Sequence, residues 1–227
     1  IEPVQGEGGV RIPSENFLPK LRKICDERGV LLICDEIQGG MGRAGQWFSC
    51  QNWDVIPDII TLAKSFGGGL PLGAILSTKD IFSTFLDPPL SHLTTFGGNP
   101  VSCAAAIAAF DIIREDDLIN KSKELGSYLN ERLHSAKLEF PEMITEIRGI
   151  GLWYAIDISP KKITMPLVNE MQSRGVIVGS MLNSEGTIRI APPLTIRPAE
   201  IDAFIGVLKI SLRTMKRKYK EEINGSK

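Results

Sequence analysis

Apolar residues in the first half of the chain follow two alternating patterns. Phe17, Leu18, Leu21 and Ile24 recur at the helical spacing, and a short continuous apolar run follows them at once. The short apolar runs predict strands that are buried on both faces, and such strands in alternation with helices are typical of layered sheets whose strands run parallel. The first half therefore predicts an α/β fold with a mainly parallel sheet. The predicted elements are a helix at 14–28 and strands at 30–34, 59–63 and 72–76.

The second half of the chain is richer in helical patterns. Two long helical stretches come first, and two strand-like runs then alternate with helices. This arrangement predicts a smaller α/β domain at the C-terminus. We expect domains at 1–112 and 113–227. The predicted elements are helices at 101–114, 118–133, 165–174 and 198–218, and strands at 152–157 and 187–190.

The composition is that of an ordinary globular protein. The 227 residues are 43% hydrophobic and 23% charged, and the formal net charge is −1. This balance excludes disorder for nearly the whole chain and gives no electrostatic reason to expect a nucleic-acid partner. The longest apolar stretch, near 101–113, contains Asp111 and is shorter than the roughly 20 residues of a membrane span. We therefore expect small-molecule chemistry, with no nucleic-acid or membrane partner.

The cysteines and the first residues add two expectations. Four cysteines without a Cys-x-x-Cys pair or dense spacing predict free thiols in a reducing compartment. The cytoplasm fits this best, and the mitochondrial matrix stays open. The chain starts at Ile1 without an initiator Met or a presequence, as if it entered in mid-domain. We therefore expect a C-terminal portion of a longer enzyme.

An acidic pair and a lysine each follow a predicted strand. Asp35 and Glu36 come directly after the first strand, and Lys64 follows the second. Open α/β sheets bind ligands at the carboxyl ends of their strands. A lysine desolvated there can attack a carbonyl as a neutral amine, which suits Schiff-base chemistry. Taken alone, either acid could simply cap a turn, and Lys64 could be an ordinary surface lysine.

Four motifs in order along the chain carry a family resemblance. They span much of the sequence, and together they are far more specific than any one of them. The chain resembles the class III, or ω-amino acid, aminotransferases of pyridoxal 5′-phosphate (PLP) fold type I. The motifs are Glu-Pro-Val-Gln-Gly-Glu-Gly-Gly at 2–9, Cys-Asp-Glu-Ile-Gln at 34–38 with Gly-Arg at 42–43, Ala-Lys at 63–64, and Thr-Phe-Gly-Gly-Asn-Pro at 95–100.

The resemblance implies a role for each matching residue of the cofactor site. Asp35 would pair with the protonated pyridine nitrogen of PLP and keep the ring an electron acceptor. Ile37 would pack on one ring face, and Gln38 would donate to the phenolic oxygen. Lys64 would hold PLP as a Schiff base and then move the proton between carbon atoms as a general base.

The resemblance also implies a composite site and a substrate-binding pair. Thr95 matches the threonine that reaches the cofactor phosphate of a neighbouring subunit, which implies a homodimer or a dimer of dimers. Arg189 matches the arginine that binds the substrate α-carboxylate as a bidentate fork. Glu7 matches the glutamate that neutralises that arginine when the substrate presents a distal amine end.

Parts of the family pattern are altered or missing here. Gly39 and Gly40 stand where many relatives have Thr-Gly or Ser-Gly, which predicts a looser loop near Gln38. The upstream phosphate cup has no counterpart, so this chain alone should bind cofactor poorly. His92 and His134 are isolated, and no metal site is predicted.

The resemblance implies transfer of an amino group from an ω-amino donor to a 2-oxo acid such as 2-oxoglutarate. Ornithine, acetylornithine and 4-aminobutyrate are the donor types. Two alternatives stay open, since fold and cofactor do not fix the reaction. One is an aminomutase, racemase or decarboxylase of the same fold, and the other is a non-catalytic fragment without the N-terminal half.

Overall fold

The computed structural model describes residues 1–88, 90–181 and 183–224, and of Asn224 only the backbone. The chain forms two compact units. Unit 1 comprises Ile1–Pro3 and Pro13–Ile119, and unit 2 comprises Val4–Ile12 and the chain from Asn120 onward. The helices are α1 (Phe17–Arg28), α2 (Lys79–Phe82), α3 (Pro100–Glu115), α4 (Leu118–Glu139), α5 (Thr164–Ser173), α6 (Pro198–Lys218) and α7 (Lys220–Asn224), and the strands are β1 (Ile33–Asp35), β2 (Ile59–Leu62), β3 (Ala74–Ser77), β4 (Ile144–Ile150), β5 (Trp153–Ile158), β6 (Gly179–Ser180) and β7 (Thr187–Ile190).

The longer helices begin and end at residues whose chemistry favours those positions. Asn99 caps α3 by accepting hydrogen bonds from the backbone N–H groups of Val101 and Ser102, and Pro100 occupies the first helical position. Gly29 ends α1 in the left-handed conformation. The observed α1 begins at Phe17, three residues later than predicted, because Ser14 starts a turn there. The predicted bounds of α6 and β7 are confirmed without change.

The sheet of unit 1 has three strands in the order β1-β2-β3. Strands β1 and β2 are parallel, as predicted, whereas β3 runs antiparallel to β2. Residues 63–73 connect β2 to β3 with only a short 3₁₀ helix, Lys64–Gly67, and a parallel crossover usually needs a longer, helical connection.

One face of this sheet is buried and the other is not. On the buried side, Leu32 and Cys34 pack with Leu18 of α1 in a small core. On the other face, the side chains of Ile33 and Ile75 are exposed. The expectation that these strands are buried on both faces is therefore wrong for unit 1 as described, since its helical layer covers one face.

The sheet of unit 2 is antiparallel throughout its described strands, in the order β4-β5-β7-β6. Its core face carries Ile147, Ile156 and Ile188, which lie opposite one another across three strands. They pack with apolar residues of α4, α5 and α6 in the largest core of the molecule. The opposite face is polar and carries Arg189. In the described residues, no helix is long and apolar enough to cross a membrane.

Candidate active site

The predicted acid and amine lie at the same edge of the unit 1 sheet. Asp35 ends β1 and is paired in register with Thr61 of the parallel strand β2. Lys64 comes three residues after Thr61 and two residues after the end of that strand at Leu62. Carboxyl ends of adjacent parallel strands form the ligand crevice of open α/β sheets. The tertiary structure therefore brings Asp35 and Lys64 to one edge, as the sequence predicted.

The two neighbouring carboxylates have different environments. Glu36 is only 1% exposed, and its carboxylate accepts hydrogen bonds from Ser49 N at 2.8 Å, Ser49 Oγ at 2.6 Å and Cys50 N at 2.8 Å. It thereby caps the 3₁₀ helix Ser49–Trp53. Asp35 is half-buried, and its Oδ1 accepts from Ile37 N at 3.0 Å. Glu36 is the structural acid, whereas Asp35 Oδ2 accepts no hydrogen bond from the residues that the structure describes.

The turn that follows Asp35 is tightly packed. Ile37 and Gln38 are half-buried, and Gly39 and Gly40 are buried. A Cβ atom on Gly39 would lie 2.7 Å from Ser49 Oγ, and one on Gly40 would lie 2.8 Å from the Glu36 carbonyl oxygen. The expected loosening of this loop is therefore wrong, because the two glycines permit close packing around Glu36.

Arg43, also part of the second motif, is partly buried in the same loop. Burial lowers its pKa to about 10, so the guanidinium still carries its charge at neutral pH.

Lys64 adopts an unusual backbone conformation. Its φ of 52° lies in the left-handed region, which side chains with a Cβ atom rarely occupy. Such strain clusters at functional sites, where the surrounding structure enforces it. The Lys64 side chain is exposed, so the described residues do not supply the desolvation that the sequence suggested.

The backbone strain at Lys64 predicts that glycine is more stable than alanine at this position, which reverses their usual order. We expect Lys64→Gly to have a free energy of unfolding about 1 kcal/mol higher than Lys64→Ala, because glycine tolerates a positive φ. Chemical denaturation of both variants measures the difference. The matched control is Lys123, an exposed lysine within α4, where alanine should be the more stable by about 1 kcal/mol. Equal stability of the two Lys64 variants would contradict the strain.

The glycine turn after Lys64 is held against α3. Gly68 has a φ of 59°, and a Cβ atom there would lie 2.5 Å from the carbonyl oxygen of Ala105. Only glycine fits both the conformation and the approach of the helix backbone. This contact fixes the segment that begins at Lys64 within unit 1.

Thr95 lies in an exposed turn at 95–98, just before the Asn99 cap of α3. In the described part of the chain, no hydrogen bond joins it to Asp35 or Lys64. The neighbouring Phe96 is also exposed.

The predicted pair of Glu7 and Arg189 is in contact within unit 2. Arg189 Nη1 donates to Glu7 Oε1 at 2.6 Å, and the two side chains are 30% and 29% exposed. Gly179 lies opposite Arg189 in the strand pairing, and a Cβ atom there would lie 3.4 Å from the guanidinium. Residues 182 positions apart are thus brought into an ion pair.

Sequence reasoning missed two charged residues beside this pair. Arg148 of β4 donates to both oxygens of Asp157 on β5, at 2.8 and 2.9 Å. Burial alone would raise the pKa of Asp157, but the hydrogen bonds from Arg148 and Thr187 outweigh burial and lower it. Residues 144–150 carry no clear strand signal, because Ile144, Ile147 and Ile150 recur at every third residue rather than every second.

Comparison with known proteins decides the family. The family model of class III aminotransferases matches residues 1–212. The chain belongs to the class III aminotransferase family. Among the residues that the structure describes, no group of three or more His, Cys, Asp or Glu side chains could hold a metal ion. The class is PLP-dependent.

Relatives of this class III chain include proteins named as putrescine, ornithine and acetylornithine aminotransferases. A putrescine aminotransferase of Pectobacterium atrosepticum is 45% identical over 197 residues, which are 86% of this chain and 42% of that protein. A structure of ornithine aminotransferase from Toxoplasma gondii, whose description notes partial occupancy of PLP at its active site, matches with a TM-score of 0.90 at 30% identity. Acetylornithine aminotransferase from Elizabethkingia anophelis matches with a TM-score of 0.86 at 33% identity.

The matches with this chain cover about half the length of each of the two solved structures. The matches include 97% of this chain and 51% of the Toxoplasma chain, and 94% of this chain and 53% of the Elizabethkingia chain. The chain thus spans about half the length of the relatives that it matches. The similarity supports fold type I for this class III aminotransferase chain.

Proposed function

We propose that this chain serves in a PLP-dependent transaminase that moves an amino group from an ω-amino donor to a 2-oxo acid such as 2-oxoglutarate. The observation that carries the proposal is the placement of Asp35 and Lys64 at the ends of adjacent parallel strands, in a chain of the class III family. Residues 1–112 would belong to the large cofactor-binding domain, and 113–227 to the small C-terminal domain.

The residues at the edge of the unit 1 sheet fit PLP. Asp35 Oδ1 already accepts from Ile37 N, and its Oδ2 can accept from the pyridine N–H of the cofactor. When bound, PLP supplies an electron sink for the carbanion formed at the substrate. Ile37 would contact a ring face and Gln38 would donate to the phenolic oxygen.

Lys64 would hold the cofactor covalently and then serve as the general base. Its primary amine can form the imine bond, and the same nitrogen can carry the proton between the two carbon atoms of the transfer. The left-handed backbone at Lys64 supports this role, because strained residues of this kind cluster at functional sites.

Thr95 would contribute to a second subunit rather than to its own. Its exposed position in a turn suits a hydroxyl group that donates to the cofactor phosphate of a neighbouring copy. We accordingly propose a homodimer or a dimer of dimers.

Glu7 and Arg189 would select substrates by charge. With the pair closed, the guanidinium is neutralised, so a donor without a carboxylate beside its reacting carbon can bind. With the pair open, Arg189 can bind the α-carboxylate of a 2-oxo acid as a bidentate fork. The closed geometry at 2.6 Å favours ω-amino donors of the ornithine, acetylornithine or 4-aminobutyrate type, and the putrescine relative adds a diamine to that series.

Substituting Glu7 should separate the two substrates. We expect Glu7→Gln to lower the KM for 2-oxoglutarate and raise the KM for putrescine, each by roughly threefold to tenfold, because Arg189 loses its neutralising partner. Steady-state kinetics with each substrate varied in turn measures the split. Parallel changes in both KM values would contradict the selective role.

A coupled assay tests the proposed reaction itself. Full-length protein with PLP is incubated with 2-oxoglutarate and, separately, putrescine, ornithine, acetylornithine or 4-aminobutyrate, and glutamate is measured. We expect glutamate with at least one donor. A coloured, cofactor-loaded protein that forms no glutamate from any donor would favour an aminomutase, racemase or decarboxylase. A protein that remains colourless with added PLP would favour the non-catalytic alternative.

A further inference from the structure

The polar face of the unit 2 sheet places Arg148 in line with Arg189. Arg148 is paired with Ala155 of β5, and Ala155 is paired with Arg189 of β7. Residues that lie directly opposite in antiparallel strands point to the same face. Asp157 and Thr187, which are paired two residues along the same strands, therefore share this face with the two arginines. The small, buried Ala155 lies between the two arginines in the strand pairing.

The segment Val4–Ile12 forms a closed turn within unit 2. Gln5 and Arg11 pair by two backbone hydrogen bonds of 3.1 and 3.0 Å, and the side chains of Val4 and Val10 are buried. Glu7 lies within this turn. The contacts that hold this turn in place therefore also set the position of Glu7.

Arg148 holds the turn in place through a direct hydrogen bond. Its Nε donates to the carbonyl oxygen of Gly9 at 2.5 Å, while its two terminal nitrogens donate to the carboxylate of Asp157. The Arg148 side chain is only 9% exposed. Gly9 has a φ of 106°, and a Cβ atom there would lie 2.9 Å from both Arg148 Nη2 and Ser184 Oγ. The turn and the guanidinium thus fit closely at a position that requires glycine.

The same carboxylate also contacts the strand that carries Arg189. Thr187 Oγ1 donates to Asp157 Oδ1 at 2.6 Å, and Thr187 lies two residues before Arg189 on β7. The pair of Arg148 and Asp157 therefore contacts both segments that carry the Glu7–Arg189 ion pair. Arg148 contacts the turn at Gly9, and Asp157 contacts β7 at Thr187.

We propose that Arg148 is a positioning residue that, through Gly9, holds Glu7 against Arg189 and so sets how readily Arg189 is released to bind a substrate carboxylate. This inference rests on the substrate-binding role proposed for Glu7 and Arg189. Arg148 touches neither substrate nor cofactor in this role. It acts by biasing the ion pair toward its closed state.

The test replaces Arg148 with Lys in the full-length holoenzyme. Lysine keeps the positive charge beside Asp157 but has no planar fork to bind Asp157 and Gly9 together. Glutarate is a dicarboxylate that serves as a probe for Arg189. We expect its dissociation constant to fall by about threefold or more, because Glu7 then competes less strongly with glutarate for Arg189. The KM for 2-oxoglutarate should fall and that for putrescine should rise.

A double substitution separates positioning from general structural damage. In a Glu7→Gln background, Arg148→Lys should leave the glutarate dissociation constant unchanged, because the effect acts through Glu7. Arg132→Lys is the matched control, because Arg132 also lies in unit 2 and donates from Nε to a carboxylate, that of Asp202, at 2.7 Å, and no hydrogen bond or ion pair joins it to the turn at 4–12 within the described residues. It should leave glutarate binding as in the parent protein.

The outcomes distinguish this proposal from the proposed function. If Glu7→Gln tightens glutarate binding and Arg148→Lys does not, the positioning role is overturned and the ion-pair role stands. If neither variant alters glutarate binding, both roles fall. Should Arg148→Lys fold poorly, Gly9→Ala disturbs the same contact from the turn side. It should tighten glutarate binding in the same direction, and unchanged binding would overturn the positioning role.

Discussion

Replacing Lys64 with Ala in the full-length protein is expected to lower the transamination kcat by about 10²–10⁴-fold, the usual contribution of a general base. Covalent retention of PLP should be lost as well, because no other amine is expected to form that bond. Glutamate formation measures the first effect. Borohydride reduction followed by mass spectrometry of the Lys64 peptide measures the second.

Two controls sharpen the Lys64 experiment. Lys79→Ala removes another exposed lysine of unit 1, at the start of α2, and should leave kcat and PLP retention unchanged. Methylamine added to Lys64→Ala should restore part of the turnover, since a free amine can replace the missing base. Undiminished turnover in Lys64→Ala would rule out the assignment, and lost turnover in Lys79→Ala would show that the assay lacks specificity.

The second large effect is on stability. We expect Glu36→Ala to lower the free energy of unfolding by about 3–5 kcal/mol, because the buried N–H groups of Ser49 and Cys50 and the Ser49 hydroxyl lose their common acceptor. Urea denaturation monitored by circular dichroism measures the change. Glu36→Gln, which keeps the shape, should cost less, at roughly 1–3 kcal/mol.

The adjacent acid provides a matched comparison. Asp35→Asn should change stability by less than about 1 kcal/mol, because an amide oxygen still accepts from Ile37 N. It should weaken PLP function, since the neutral amide no longer stabilises the protonated pyridine nitrogen. The reverse pattern, with Asp35 the more important for stability, would contradict the division of roles between the two acids.

Regular elements were predicted best where their pattern repeats over several turns. The bounds of α6 and β7 agree with the structure, and α3 and α4 differ mainly at their ends. Strands β4 and β6 were not predicted. A bulge near Glu146 interrupts the pairing of β4, and β6 contains only two residues, so neither presents a long local pattern. The parallel pairing of β1 and β2 was predicted correctly, but the direction of β3 depends on its connection.

The sequence by itself determined the family resemblance and the chemical groups of the candidate site. Asp35, Lys64, Thr95 and Arg189 were named from motifs, because side-chain identity and order are local properties. The tertiary structure decided which of two adjacent acids is buried beneath Ser49, and it brought Glu7 to Arg189 across 182 positions. It also revealed the contact of Arg148 with the Glu7 turn. Such pairings depend on strand register and chain closure, which no short stretch of sequence encodes.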